Sequence, residues 1–293
     1  MRFACITAEK TSFPITKLCH ALGVSTAGYY ASLRRAPSVR AKKDERLKVF
    51  IRAAFVASRK SYGSPRIHDD LVEAKEGVGR NRVIRLMQAE GIVARPRRRY
   101  RSTTMSDHDQ PVAANLLARE FVADAPNQRW VGDTTELLTA SGKFYLAAIL
   151  DLFSRSLVGW AISAVNDRHL TIAALDAALK RRLPGVGLLH HSDQGCTYAS
   201  EDYQEVLRDH AITCSMSRRG NCYDNAVMES WFSTLKFELG ETFPSIRIAK
   251  DQLFDYIEVF YNQRRRHSTL GGVSPAAFER AYYSSKAQMA LAA

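Results

Sequence analysis

Three acidic residues lie in local patterns where carboxylates are uncommon. Asp133 falls within an apolar strand pattern (WVGDTTEL), Asp193 ends another (HHSDQGCTY), and Glu229 lies in a helical pattern (YDNAVMESWFSTLKFE). A carboxylate in an apolar element is costly unless it is paired or binds a metal. Three carboxylates brought together raise one another's pKa values, whereas Mg²⁺ binds a few carboxylates and keeps several waters. Such a cluster predicts a two-metal site that activates a water or a 3′-hydroxyl at a phosphodiester.

Other acids compete for this role. Asp151 and Glu136 also lie on strand patterns, and residue chemistry alone does not choose Asp133 over Asp151. We expect Asp224 to cap the helix that carries Glu229. Each of these carboxylates could equally be an ordinary surface acid.

The pattern around Glu229 predicts a helix with two distinct faces. Asn225, Glu229, Ser233 and Lys236 fall on one polar stripe, because seven residues span nearly two turns. Lys236 could hold a phosphate near the metal ions, or it could be a solvated lysine. A separate apolar stripe, expected to pack on a sheet, contains Val227, Met228, Trp231, Phe232, Leu235 and Leu239.

The elements that must position these acids alternate along the chain. Strand patterns cover 130–139, 143–152, 157–163, 187–191 and 212–216, and helical patterns cover 171–183, 201–210 and 224–239. Alternation of this kind predicts an α/β domain built on a mixed sheet. The tail, roughly 248–285, is predicted to be helical.

The first hundred residues read differently, as helices separated by glycine turns. Residues 14–35 have the outline of a helix-turn-helix or of a plain helical hairpin, and 40–60 predict a basic amphipathic helix. Residues 61–94 form a second helix-turn-helix candidate, whose second helix would enter a DNA groove. The basic residues on that helix are Arg80, Arg82 and Arg85.

An arginine-rich segment follows, interrupted by Pro96. Arginine-rich extended arms dock into narrow minor grooves, and a solvated linker is the alternative. The arginines predicted to contact DNA are Arg95, Arg97, Arg98, Arg99 and Arg101.

The net charge of the 293-residue chain is +12, and it is unevenly placed. Residues 1–110 carry 23 basic and 10 acidic side chains, whereas 111–293 carry 19 and 20. A basic module joined to a near-neutral one predicts that the basic part binds a polyanion, most often nucleic acid, and that the other part has a different role.

The cysteines and the apolar content point to a soluble cytoplasmic protein. The five cysteines form no CxxC pair, so neither a disulfide framework nor a zinc site is expected. No secretion signal precedes the first helical pattern, and the most apolar stretch is too short to span a bilayer. We expect five regions: 1–60, a helix-turn-helix with a basic helix; 61–101, the second helix-turn-helix with its arm; 102–125, a linker; 126–245, the catalytic core; and 246–293, a helical extension.

The chain resembles a known family through several linked motifs. Thirty-five residues separate Asp193 from Glu229, and WVGDTTEL, ILDLFSRSLVGWAIS, HSDQGCTYAS, SMSRRGNCYDNAVMESWFSTLKFE and YNQRRRHSTLGGVSPAAFE follow in order. With the front end from LGVSTAGYY to SYGSPRI, this resembles the catalytic (OrfB-type) DDE transposases of two-frame bacterial insertion sequences, in the retroviral-integrase superfamily. The resemblance covers about 13–280.

The resemblance implies a ribonuclease H-like catalytic domain with a mixed five-stranded sheet, preceded by all-α helix-turn-helix modules. Asp133, Asp193 and Glu229 would be the catalytic and metal-binding residues, with two Mg²⁺ (or Mn²⁺) ions and no covalent protein–DNA intermediate. By motif position, Asn225, Arg219 and Lys236 would line the DNA path.

The implied partners are double-stranded DNA, as element terminal inverted repeats and as target, and further copies of the chain. Two departures stand out. Thr197 occupies a position where the family commonly has Gln, and no heptad repeat of a leucine zipper appears. We therefore expect the downstream-frame product or the downstream part of a frameshift fusion, acting at the bacterial nucleoid.

Two other functions are compatible with the same acids. A ribonuclease H-type nuclease would cleave without joining strands, although the basic helical front end argues against it. A DNA-binding regulator without catalysis is the third candidate, but all three acids are present.

Overall fold

The computed structural model describes residues 2–95, 112–218 and 222–292. The first helices are α1 (Arg2–Glu9), α2 (Ile15–Ala21) and α3 (Thr26–Arg34). The helix-turn-helix outline predicted for 14–35 is present, and the Ser25 hydroxyl caps α3 by accepting a hydrogen bond from the Gly28 N–H. Helix α1, which the sequence patterns did not predict, completes a small core of Ile6, Cys19 and Tyr29.

Three further helices form a second core. These are α4 (Val39–Ala57), α5 (Ser64–Glu73) and α6 (Arg80–Ala89). The expected boundary at residue 60 separates α4 from the other two, but α4 packs with them because its apolar face meets theirs. The shared core contains Leu47, Ile51, Tyr62, Ile67, Leu71, Val83, Leu86 and Met87.

A mixed sheet forms the centre of the larger part of the chain. Its strands are β1 (Arg129–Thr139), β2 (Gly142–Asp151), β3 (Leu157–Ser163), β4 (Leu189–Ser192) and β5 (Thr213–Met216). Their spatial order is β3-β2-β1-β4-β5. Strands β1, β2 and β3 pair antiparallel, whereas β4 and β5 run parallel to β1. A short strand, β6 (Thr242–Phe243), pairs with the far end of β1. The expected mixed sheet is confirmed; β6 adds a sixth strand to the five that were expected.

Helices cover both faces of this sheet. On one face lie α7 (Arg168–Arg182), α8 (Cys196–Ala199) and α9 (Glu201–Asp209). On the other lie α10 (Ala226–Glu238) and α11 (Ile246–Phe254), which continues as a π-helix over Asp255–Tyr261. The last helix is α12 (Pro275–Ala292). In the residues described, no helix combines the length and apolarity needed to cross a bilayer.

Two details differ from the sequence-based expectations. The helix expected to begin at 224 begins at Ala226, after a 3₁₀ turn over Cys222–Asn225. The later part of the expected linker is not a free tether, because Leu117 is buried in the sheet core. The Ser215 hydroxyl on β5 accepts hydrogen bonds from the N–H groups of Leu116 and Leu117 at 2.9 and 3.1 Å.

Candidate active site

The register of two parallel strands places two of the acids side by side. His191 on β4 pairs with Val131 on β1. Asp193 and Asp133 each lie two residues further along their chains, and side chains two residues apart point to the same face of a sheet. Burial raises the pKa of Asp133 well above its ordinary value, and the negative charges of Asp193 and Glu229 raise that pKa further. The pKa of Asp133 therefore responds to the charges of both other acids.

A glycine shapes the turn that holds Asp193. The Gly195 N–H donates a hydrogen bond to Asp193 Oδ1 at 2.9 Å. A Cβ at Gly195 would lie 2.9 Å from the same oxygen, closer than such contacts allow. A side chain at Gly195 would therefore require the Asp193 carboxylate to shift.

Helix α10 brings the third acid. Met228, Trp231, Phe232 and Leu235 on this helix are buried against the sheet, as the apolar stripe predicted. Glu229 lies in the first turn of α10 and is partly buried, which raises the pKa of its carboxyl. The packing of α10 on β1 thus delivers Glu229 to the edge where Asp133 and Asp193 lie.

Asn225 connects α10 to β1 directly. Its Nδ2 donates a hydrogen bond to Asp133 Oδ2 at 2.8 Å, while Oδ1 of Asp133 accepts one from the Thr134 N–H. The Asn225 Oδ1 is buried, and among the described residues it has no hydrogen-bond partner. An unsatisfied amide oxygen beside the Asp133 carboxylate is a donor pair of the kind that hard divalent cations prefer.

Sequence reasoning missed Tyr198, which belongs to the same neighbourhood. This tyrosine on α8 is buried, and burial raises the pKa of its hydroxyl, with the charges of Tyr203, Asp133 and Asp193 adding to the effect. Its one signal in the sequence is its place five residues after Asp193, next to Thr197.

The two histidines before Asp193 have structural roles. His190 Nε2 lies 2.7 Å from the Tyr203 hydroxyl, and His191 Nδ1 lies 2.9 Å from the Ser215 hydroxyl. Burial lowers the pKa of His190 to about 3 and that of His191 to about 4. Both rings are therefore neutral at physiological pH and tie β4 to its neighbours.

The structure separates the competing acids from this cluster by giving each its own partner. Asp151 accepts hydrogen bonds from the backbone N–H groups of Asn127 and Phe153 at 2.7 and 2.8 Å. Asp224 pairs with Arg218 at 2.9 Å, and this hydrogen bond holds the pKa of Asp224 far below its usual range. The expectation that Asp224 caps α10 is wrong, because its carboxylate is taken by arginine and the N-cap position is the next residue.

Glu136, the last of these competing acids, and Glu238, which lies later on α10, are both in ion pairs. Glu136 pairs with Lys143 at 3.0 Å on the surface of the sheet. Glu238 is buried with Arg265, whose Nε lies 2.8 Å from Oε2.

The residues predicted to contact DNA fall into three groups. Lys236 lies two turns after Glu229 on the same stripe of α10. On α6, Arg80 is exposed, whereas Arg82 and Arg85 both bind the Asp44 carboxylate, at 2.7 and 2.8 Å. A phosphate must therefore compete with Asp44 for those two arginines. Arg97, Arg98, Arg99, Arg101 and Arg219 lie outside the described residues, and Arg95 is the last residue before the first gap.

Among the described residues, no group of three or more His, Cys, Asp or Glu side chains is arranged to hold a metal ion. The donor chemistry nevertheless fits a divalent cation, because the nearby acids are partly buried and the Asn225 amide oxygen is unsatisfied.

Comparison with known proteins matches each part of the chain. Family models described as integrase core domain match residues 123–222 and 210–275. One described as HTH-like domain matches 42–100. This match places α4 with α5 and α6, as their shared core does.

Solved structures give a looser likeness. The HTLV-2 integrase catalytic core domain in complex with magnesium is 20% identical, with a TM-score of 0.40, covering 53% of this chain and 98% of that one. A simian T-cell lymphotropic virus intasome chain is 16% identical, with a TM-score of 0.45, covering 70% and 68%. The sheet order and the integrase-core match together define the ribonuclease H-like fold.

The curated relatives cover nearly the whole chain. An uncharacterized 31 kDa protein of insertion element IS600 from Shigella sonnei is 42% identical over 268 residues, which is 91% of this chain and 98% of that protein. Transposase InsF for insertion sequence IS3A from Escherichia coli (strain K12) is 38% identical over 283 residues, or 95% and 98%. This chain belongs to the family of insertion-sequence transposases that includes InsF, enzymes built on an integrase core.

Proposed function

We propose that this protein binds the ends of an insertion sequence, cleaves a phosphodiester there and joins the freed 3′-hydroxyl to target DNA. The observation that carries the proposal is the strand register that puts Asp133 and Asp193 side by side, with the negative charges of Asp193 and Glu229 raising the pKa of Asp133. Mutual repulsion of this kind is relieved when cations bind between the acids.

Asp133, Asp193 and Glu229 would hold two Mg²⁺ (or Mn²⁺) ions. Bound there, the metal supplies positive charge that stabilises the attacking and leaving oxygens of a phosphodiester. The remaining residues keep the acids in place: the Asn225 amide holds Asp133, and the Gly195 N–H holds Asp193. Lys236, on the stripe that carries Glu229, is suited to bind a phosphate of the DNA.

The DNA partners follow from the same division of labour. We assign DNA binding to the basic residues 1–101 and phosphodiester cleavage and joining to 126–245. The element ends and the target are the double-stranded substrates. Joining two ends calls for more than one copy of the chain, or for an upstream-frame protein fused to it, at the bacterial nucleoid.

The proposal is tested by incubating the protein with Mg²⁺ and a target duplex, together with an uncut element end to score cleavage or a pre-cut end to score joining. We expect joined products, and we expect Asp193→Asn to abolish both cleavage and joining while end binding persists. The exposed variant Asp209→Asn, which lies away from the acids on α9, is the matched control.

Three outcomes contradict the proposal in different ways. Hydrolysis without joined product would identify a nuclease. Binding with neither reaction would identify a regulator. Undiminished activity of Asp193→Asn would remove this residue from the metal site.

A further inference from the structure

The outer face of α6 carries side chains that can pair with the edges of bases. One face of this helix is buried in the core that it shares with α4 and α5. The opposite face holds Asn81, Arg85 and Gln88, which are spaced to lie above one another on a helix, and all three are exposed. Arginine forms paired hydrogen bonds with guanine in the major groove of DNA, and asparagine and glutamine do so with adenine.

The place of α6 in its module suits a helix that enters a groove. It is the second helix of the α5–α6 pair, after the turn over 74–79, and the pair lies within the segment matched as HTH-like domain. In a helix-turn-helix the second helix lies in the major groove, and its N-terminal residues contact the bases. Asn81 and Arg85 both lie in the first two turns of α6.

Asp44 on α4 gives two arginines of α6 different roles. Arg82 donates from Nε to Asp44 Oδ1 at 2.7 Å and from Nη2 to the Arg40 carbonyl at 3.3 Å, and its side chain is only 22% exposed. Arg85 donates from Nη2 to Asp44 Oδ2 at 2.8 Å, yet its side chain is 52% exposed. Arg82 therefore ties α6 to α4, whereas Arg85 keeps most of its five N–H donors for an outside acceptor.

The Asp44 carboxylate acts on Arg85 in two ways. A hydrogen bond at one edge restricts the long side chain before DNA arrives, so less rotamer freedom is lost when the guanidinium meets a base. The negative charge also repels phosphates near both arginines, which disfavours binding to the DNA backbone alone. The hydrogen bonds from Arg85 and Arg82 lower the pKa of Asp44, so this carboxylate is ionised at physiological pH.

We propose that α6 reads base sequence in the major groove, with Arg85 held by Asp44 to recognise guanine and with Asn81 and Gln88 facing neighbouring bases. This rests on the proposed function for its partner, double-stranded DNA, and adds the residues and the base that determine sequence preference. Arg80, exposed at the first position of α6, contacts the phosphate backbone instead.

The first test measures guanine recognition by the full chain in metal-free buffer, where binding is separate from cleavage. Selection from a pool of duplexes with a randomised central segment gives the preferred sequence, and each guanine is then replaced in turn by 7-deazaguanine, which lacks the N7 acceptor. One replacement should weaken binding of the wild type by about tenfold, equivalent to about 1.4 kcal/mol. Arg85→Ala should bind the duplexes with and without that replacement equally.

Arg80→Ala provides the contrast on the same helix. Loss of a phosphate contact should weaken binding to selected and unselected duplexes alike, and should flatten the dependence of log K on log salt by about 0.9. The preference for guanine over 7-deazaguanine should stay that of the wild type.

The second test separates positioning by Asp44 from a general effect of charge. Asp44→Asn frees two arginines from the carboxylate, so binding to unselected duplexes should tighten while the tenfold preference for guanine falls. The salt dependence should steepen by about 0.9 for each arginine that then reaches a phosphate. Glu45→Gln removes the same charge at the next residue, which is exposed and paired with Lys48, and should leave the guanine preference intact.

Several results would overturn this assignment. Selection without any guanine preference would do so, as would the same loss on 7-deazaguanine replacement in Arg85→Ala as in the wild type, which would point to another reader such as α3. Equal behaviour of Asp44→Asn and Glu45→Gln would remove Asp44 from its positioning role. Guanine recognition that depends on Arg85, in a protein that joins no strands, would retain the α6 reader and reject the proposed function.

Discussion

Two aspartates on neighbouring central strands, Asp133 and Asp151, look alike in sequence but have different environments. Asp151 at the end of β2 is satisfied by two backbone N–H groups. Asp133 accepts a hydrogen bond from the Asn225 amide, and the negative charges of Asp193 and Glu229 raise its pKa. A carboxylate whose oxygens are already satisfied by backbone N–H groups is structural, whereas one with other carboxylates nearby is available to a cation.

Asp151→Asn should therefore weaken the fold and spare the chemistry. The asparagine amide would replace one acceptor oxygen with a donor facing a backbone N–H, at a cost of about 1–3 kcal/mol. Urea unfolding should show this loss, while the Mg²⁺ dependence of DNA cleavage stays that of the wild type. Lost cleavage with unchanged unfolding would place Asp151 in the site instead.

Removal of the Asn225 amide should change the pH dependence of cleavage. The hydrogen bond from Asn225 lowers the pKa of Asp133, so Asn225→Ala raises it and the ionised carboxylate is lost at a higher pH. The acidic limb of the kcat/KM profile should therefore move to higher pH in the Asn225→Ala variant. Gln252→Ala, an exposed amide on α11, is the control, and a profile of Asn225→Ala that matches it would show that Asn225 does not act on Asp133.

At the scale of elements, the site depends on how closely helices approach the sheet. Helix α7 packs on β3 at Gly159, where an added Cβ would lie 2.6 Å from Ala178 Cβ and 2.7 Å from the Ala178 nitrogen. Those neighbours are in the helix and cannot move aside. The close approach fixes β3 and, through β2, the central strand that bears Asp133.

Gly159→Ala should accordingly separate α7 from the sheet and destabilise the protein by about 1–3 kcal/mol. Gly185→Ala is the matched control, because a Cβ there meets nothing within 4 Å. Thermal unfolding of the two variants side by side measures the difference. Equal melting temperatures would show that β3 and α7 tolerate a methyl group between them.

At the scale of the whole molecule, two adjacent arginines pair with carboxylates in different parts of the chain. Arg265 turns inward to Glu238 on α10. The Arg266 side chain turns to α5, where it binds Asp70 at 2.5 Å and also Glu73. The backbone N–H of Arg266 donates a hydrogen bond to the Tyr62 hydroxyl at 2.7 Å. One short segment thereby joins helix α10 to the HTH-like module.

Arg266→Ala should loosen that module without unfolding the sheet. Loss of about 1 kcal/mol raises local opening roughly fivefold, so amide exchange in α5 should quicken by that factor while exchange in β1 stays constant. Arg264→Ala, an exposed neighbour, should alter neither. Uniform acceleration through β1 as well would mean that the two parts unfold as one unit.

The sequence by itself determined the elements and the family. Hydrophobic periodicity is local, so the five strands and the apolar stripe of α10 could be read from it, and the 35-residue spacing of Asp193 and Glu229 marked the relationship. Local patterns were weakest at boundaries, which explains why α1 was missed, and they do not record that α4 packs with α5 and α6.

Only the tertiary structure decided which acid has which partner. Asn225 lies 92 residues from Asp133, and Asn127 lies 24 residues from Asp151, so no local pattern records these hydrogen bonds. The place of Tyr198 near the two aspartates likewise depends on strand register and helix docking. Hydrophobic periodicity determines which face of an element is buried. The neighbours of a buried charge are determined only when distant segments pack together.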